Sequence, residues 1–212
     1  ELSSNALPNF LSTMIAQSKT AYYSMLGTEC EFSQGVQVPK PEQQEIISDK
    51  YPTRFLRIVD YTNFGNEPPR YIPKKSSRHL MSVQDVALVR YGNPGFVCRG
   101  LEGAIANNLF KVNPKKSSLT NDYLFYFLKS DLFQSIIKEK AHGVAMQAIS
   151  FSLINEIPIP VPDVNEQNTI VTEARELEKY LHTALTLYNK KSHELDKLKS
   201  ASLAQELKSG AA

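Results

Sequence analysis

The sequence predicts an α+β fold: a mixed-sheet domain over residues 1–163, followed by one long coiled-coil helix over 164–212. Three observations carry this reading. Short runs rich in β-branched and aromatic residues, punctuated by Gly, Pro and Asn, fill residues 54–112. From Asn121 the apolar repeat changes to three and four residues, the helical period. Finally, "NEIPIPVPDVNEQNTIV" at 155–171 alternates prolines with Ile and Val just before an apolar periodicity that runs almost to the C-terminus. A hydrophobic share of 42% is enough for a packed core.

Taken in order, residues 1–30 show a weak helical pattern in Leu7, Phe10, Leu11, Met14 and Ile15. Residues 31–53, with Pro39, Pro41 and Pro52, read mostly as loop. "RFLRIVDY" (54–61) reads as a strand, and "NEPPRYIPKKSSRH" (66–79) as a basic, proline-bearing loop. "VALVRY" (86–91) is a second strand, stopped by the "GNPG" turn at 92–95. "FVC" and "AIANNLFKV" (104–112) are further strands, and "NPKKSS" is a loop. Leu124, Leu128, Leu132 and Ile136, with Phe125, Phe133 and Ile137, make one helix from Asn121 to about Ala141, with Thr120 or Asn121 as N-cap. "AISFSLINEIPIPV" is extended.

The prolines have a direct consequence. N–H groups two residues apart point the same way in a strand, so Pro158, Pro160 and Pro162 delete the donors along one side. The segment is therefore an edge or a strap, with Ile157, Ile159 and Val161 facing the core. Asp163 and Glu166 then form a capping box. The helix they start runs from about 164 to 208, with apolar residues near a 4–3 spacing and seven acidic against seven basic side chains over 166–208. Such a helix outruns its own domain and needs a partner helix along a seam of Ile170, Leu177, Leu181, Tyr188, Leu195 and Leu198. The bland competitor is a terminal helix folded back on its domain.

Charge is divided unevenly. Residues 70–116 hold nine Lys/Arg against Asp85 and Glu102, a window of +7, whereas the remainder is 15 minus 20, or −5. That asymmetry is the footprint of a polyanion-binding face. Two cysteines make no disulfide framework, no Cys/His cluster has metal spacing, and no apolar run spans a bilayer, so no membrane role and a cytoplasmic location are expected. The chain begins at Glu1 rather than Met, which points to a trimmed protein or a fragment. "NPGF" (93–96) resembles the N-P-P-F/Y tetrapeptide of amino-group DNA methyltransferases, but Gly95 replaces a proline and N-P-G is an ordinary turn. There is no P-loop. His142, Gln147 and Ser150 lie in or beside a Gly-containing loop, "AHGVAMQAIS", able to offer hydrogen-bonding groups to base edges.

From about residue 50 the chain resembles one half of a type I restriction–modification specificity (S) subunit. "YPTRFLRIVDYTNFG", "MSVQDVALVRYGNPG" and "GAIANNLFKVNPK" are similar to that family's strands, with Gln84 in place of a usual Gly. The most specific stretch is 121–171, with its helix, glycine loop, "I-S-x-x-x-L" segment and "I-P-x-P-x-x-x-E-Q-x-x-I-V" junction. "SLAQELKSG" resembles the end of the family's spacer helix, and the first 45 residues match poorly.

The resemblance implies a target recognition domain reading one half of a split double-stranded DNA site, then a spacer helix. It implies no catalysis by this chain and no cofactor of its own, S-adenosylmethionine being bound by partner methyltransferase (M) subunits. M subunits, restriction (R) subunits through them, and a homodimer through the C-terminal helix are the expected partners. Lys74, Lys75, Arg78, Lys115 and Lys116 are the expected phosphate contacts, and Arg90, Arg99, His142 and Gln147 the base-edge contacts. The alternatives are a recognition domain cut from a fused methyltransferase/restriction enzyme, or an adaptor acting through its long helix.

Overall fold

The tight hairpin around "NPG" and the prolines of the strap divide the chain into pieces that fold as three sheets and a helical layer. The computed structural model describes residues 5–62, 66–141 and 148–209. In order these are α1 (Ala6–Ala16), β1 (Tyr22–Met25), the single turn α2 (Leu26–Glu29), β2 (Cys30–Gln34), β3 (Thr53–Leu56), the turn α3 (Val59–Thr62), β4 (Arg70–Ile72), β5 (Leu80–Met81), β6 (Val86–Val89), β7 (Val97–Cys98), β8 (Gly103–Ile105), β9 (Leu109–Pro114), α4 (Asn121–Lys129), α5 (Asp131–Ala141), α6 (Phe151–Asn155), β10 (Pro158–Val161) and α7 (Val164–Ser209).

A first sheet has the order β2-β9-β6-β7, all antiparallel, and a second the order β4-β3-β8-β5, in which β3 and β8 run parallel. The mixed-sheet expectation therefore holds. Alternation on the first sheet sends Val86, Leu88, Phe110 and Val112 into a core shared with α1, α4, α5 and the start of α7. The opposite residues, Ala87, Val89 and Leu109, meet Leu56, Met81 and Ile105 of the second sheet. The far face of the second sheet, with Phe55, Ile72 and Ala104, is covered by Val36 and Val38.

Several elements depart from the sequence pattern. The strand expected over 54–61 stops at Leu56, because the Asp60 carboxylate accepts the Arg57 N–H at 2.7 Å and its guanidinium at 3.0 Å, closing a helical turn. The run 104–112 is two strands in different sheets, split by a turn in which Leu109 N–H donates to Ala106 O at 2.9 Å. Asn107 and Asn108 supply that turn. The single helix expected over 121–141 breaks at the extended, fully buried Ser130, whose hydroxyl donates to Phe127 O at 2.6 Å. Its N-cap is as expected, with Thr120 Oγ accepting Tyr123 N–H. The supposed loop over 31–53 begins with most of β2, and the extended 148–161 segment is interrupted by α6, capped by Ser150.

The strap is an edge. β10 pairs with β1 only, in a register that sets Pro158 opposite Met25 and Pro160 opposite Tyr23. Pro158 and Pro160 thus occupy positions where no N–H is needed toward β1. Ile157, Ile159 and Val161 are buried. The Pro160 carbonyl accepts the buried Tyr123 hydroxyl at 2.6 Å. Asp163 Oδ1 accepts Glu166 N–H at 2.9 Å, but Glu166 does not reach back to complete a capping box. It takes Ser18 Oγ at 2.7 Å, the N–H groups of Lys19 and Thr20 at 3.1 Å, and the Thr20 hydroxyl, pinning the chain after α1 to the root of α7. These donors, from Thr20 and Ser18 above all, hold the Glu166 carboxyl at about 2.

Candidate nucleic-acid interface

The basic residues fall in three settings. Lys74 and Arg78 are exposed and Lys75 half-buried, on the loop and 3-10 turn between β4 and β5. That turn is tied to the end of β2 by His79 Nδ1, 2.9 Å from Gln34 O, and Arg78 Nε donates to His79. Arg70 at its base is paired with Glu45 at 2.8 Å.

Lys115 and Lys116 form the second setting, after β9. Lys115 Nζ donates to Gly27 O at 2.6 Å. Lys116 Nζ stands 3.9 Å from the carboxylate of Glu29, which is 1% exposed and also accepts Ser24 Oγ at 2.8 Å. Cys30 lies beside it. Burial first, and the Glu29 charge second, push that thiol up to about 12, and burial does the same for Cys98. Neither is a ready nucleophile at neutral pH.

Arg90 and Arg99 form the third setting, and both are engaged within the chain. Arg90 Nε donates to Ile149 O at 3.3 Å, its backbone exchanges with Asn108 and Ile149, and its guanidinium lies 6.0 Å from the Phe151 ring. It holds Ile149 in place just before the Ser150 cap of α6. Arg99 is ion-paired with Asp122, donates to Gln84 Oε1 at 2.8 Å and stacks 5.3 Å over Phe125. Asp122 is also bridged by Arg175 of α7 at 2.7 Å. Burial alone would raise the Asp122 carboxyl, but Arg99 and then Arg175 outweigh it and hold it below its usual range. His142 and Gln147 lie outside the described residues.

The "NPG" motif has a structural role here. Gly95 has φ +85°, which proline cannot adopt, and a Cβ there would come within 2.9 Å of Ile137. Gln134 Nε2 donates to its carbonyl at 2.9 Å. The departure from the methyltransferase tetrapeptide is what lets the β6–β7 hairpin pack on α5.

Along α7 the six seam residues separate. Ile170 is 1% exposed and belongs, with Val171 and Ala174, to the domain's own core. Leu177 and Leu181 lie half-buried against that core. Tyr188, Leu195 and Leu198 are 70%, 56% and 67% exposed. The competing picture, a helix folded back on its domain, is thus right for the first third: α1 and α4 pack on it, Tyr126 and Lys129 of α4 bind Glu178 at 2.8 and 2.6 Å, and Asp122 binds Arg175.

Gln167, fully buried, is the residue that the local pattern does not expose. Its Oε1 accepts both Thr120 N–H and Thr120 Oγ at 3.0 Å, and its Nε2 donates to Ser118 O at 2.6 Å and Pro162 O at 2.8 Å. The side chain joins α7, α4 and the end of the strap. Only its place in the E-Q junction motif hinted at it.

Among the described residues no helix is long and apolar enough to cross a membrane. The chain is 26% identical over 102 residues to the type I restriction enzyme MjaVIII specificity subunit of Methanocaldococcus jannaschii, covering 48% of this chain and 24% of that protein. It resembles a chain of a solved type I restriction–modification complex at TM-score 0.71 and 17% identity, over 94% of this chain and 52% of that one. The HsdS subunit from Thermoanaerobacter tengcongensis is similar at TM-score 0.62 and 17% identity, over 86% and 46% of the two chains. The S subunit from M. genitalium is similar at 0.60 and 14%, over 86% and 49%. These likenesses show the fold, and the chain spans about a quarter of the curated relative and about half of the solved ones. The model of the type I restriction modification DNA specificity domain matches residues 91–197, half of the 212-residue sequence, and the chain belongs to that family.

Proposed function

We propose that this chain reads one half of a split double-stranded DNA site and delivers that reading, through the outer part of α7, to methyltransferase subunits that carry S-adenosylmethionine and do the chemistry. The chain itself is a specificity module without catalysis, and restriction subunits join through the methyltransferase. The observation that carries this is the change of environment along α7. Its first third is domain core, while Tyr188, Leu195 and Leu198 face solvent on one helix that continues to Ser209. Covering each of those large side chains stabilises a complex by about 1.5–3 kcal/mol. The same face serves a second copy, antiparallel, where no other half is supplied.

Phosphate contacts fit the exposed Lys74, Arg78, Lys115 and Lys116. Arg90 and Arg99, engaged within the chain, position Ile149 and α4, which leaves His142 and Gln147 as the base-reading residues. The test is assembly and methylation with M subunits present. Leu195→Asp with Leu198→Asp should abolish capture of M subunits in light scattering and abolish methylation, while the chain still binds DNA. Assembly at wild-type strength by that double variant would sink the reading, as would methyl transfer by the chain alone.

A further inference from the structure

Lys111 is a lysine in the middle of a sheet. It sits on β9 in register with Ser33 of β2 and Ala87 of β6. Two residues earlier on the same face, Leu109 packs against the second sheet. At Lys111 that cover ends. The residue as a whole is only 9% exposed, yet its ammonium has no partner among the described residues. Its neighbours in the chain do have partners: Lys115 is bound to Gly27 O and Lys116 leans on Glu29. A lysine whose stem is enclosed by the sheet and whose ammonium is unpaired favours an anion beside it.

Lys111 opens into a basin of about 550 Å³ whose wall includes Asn113, Lys116, Ser117, Asn121 and Asp85. Two features of the wall are independent of the lysine. The nine-residue helix α4 begins at Asn121, so its positive end borders the basin. Asn121 Oδ1 is buried there without a hydrogen bond, and turning that amide over places an N–H donor at the same spot. The opposing carboxylate, Asp85, is engaged with Ser82 N–H at 2.7 Å.

We propose that this basin seats a phosphate group, with Lys111 as its buried anchor and Lys116 at its rim. Lys111 thereby becomes a binding residue that the exposed-lysine reading overlooks. The assignment of the phosphate to DNA rests on the proposed function. The basic turn carrying Arg78 is tied to Gln34, next to Ser33, which pairs with Lys111. A duplex backbone lying on that turn is led along β2 and β9 toward the basin.

The experiment uses the whole chain, short duplexes of unrelated sequence over a salt series, and inorganic phosphate as a separate probe followed by NMR. Lys111→Met should lower duplex affinity about 3- to 10-fold on every sequence and reduce the log–log salt slope by about 0.9. Lys111→Arg should restore both, and inorganic phosphate should bind the wild-type chain and compete with DNA. Should Lys111→Met fail to fold, Lys116→Ala, at a side chain 59% exposed, puts the same question to the rim. Phosphate binding that is lost in the variant while the DNA slope stays unchanged keeps the seat and assigns it to a free phosphate compound. A wild-type chain that binds DNA, with neither slope nor phosphate responding to the variants, overturns the seat and leaves the proposed function standing. A wild-type chain that binds no DNA at low salt overturns the proposed function, and the phosphate arm alone then decides the seat.

Discussion

The two ends of α7 have the same backbone and opposite surroundings. Near its start Ile170, Val171 and Ala174 are buried, Gln167 makes four hydrogen bonds, and Arg175 and Glu178 are tied to α4. Beyond Leu181 every large apolar side chain described is exposed: Leu185, Leu187, Tyr188, Leu195, Leu198 and Leu203. Periodicity alone cannot tell these halves apart, because a 4–3 repeat specifies a stripe and not what covers it. The difference teaches where the recognition domain stops as a packed object. Its stripe is already occupied as far as Leu181, and the described remainder is exposed to solvent.

The sharpest way to break that contrast is at the core. Ile170→Ala removes a fully covered side chain and should destabilise the domain by about 2–5 kcal/mol in a denaturant titration. Leu195→Ala, exposed, should leave the midpoint within about 0.5 kcal/mol of wild type. Equal losses at the two sites would mean that the outer helix also belongs to the fold. Next in size is Gln167→Ala, which leaves the Thr120 N–H without its partner. A buried group stranded in this way costs about 1–3 kcal/mol, read in the same titration. Smaller still is Arg175→Ala. Arg175 is 56% exposed and Asp122 keeps Arg99, so the loss should be no more than about 1 kcal/mol.

The finest test is one of pH. The Glu166 carboxyl is held at about 2, below its ordinary 4.5, by Thr20 and Ser18. A carboxyl lowered on folding stabilises the native state fully above its unfolded value and loses that contribution as pH falls through the folded one. The melting-temperature gap between wild type and Glu166→Gln should therefore be constant above about pH 5 and close between about 4.5 and 2. A gap that is flat across that range would show that the clamp on residues 18–20 contributes nothing.

Much of this was legible in the sequence because it is local. The Thr120 cap, the strap's buried Ile and Val, and the onset of α7 each depend on residues within a turn of one another. What was not legible depends on distant partners. Nothing within 104–112 says that its two ends join different sheets, since both read as apolar strand. Ser130 breaks a helix whose pattern continues through it. Gln167 and Lys111 look like ordinary surface side chains until α4 is packed over one and the second sheet ends beside the other. The candidate site divides in the same way: the charge cluster over 70–116 is legible in the sequence, but whether Arg90 or Arg99 is free or committed is decided by Ile149 and Asp122, 59 and 23 residues away.

The anchoring of α7 turns its root into the pivot of a lever. From Leu181 to Ser209 the free arm is roughly 40 Å long at 1.5 Å per residue. Swinging such an arm by about 5° carries its tip about 3.4 Å, the rise of one base pair. Gln167, Glu166 and the Asp122–Arg175 bridge thus set an angular tolerance. If two recognition modules are held apart by such arms, these few side chains at the root of the helix govern how many base pairs separate the sequences they read.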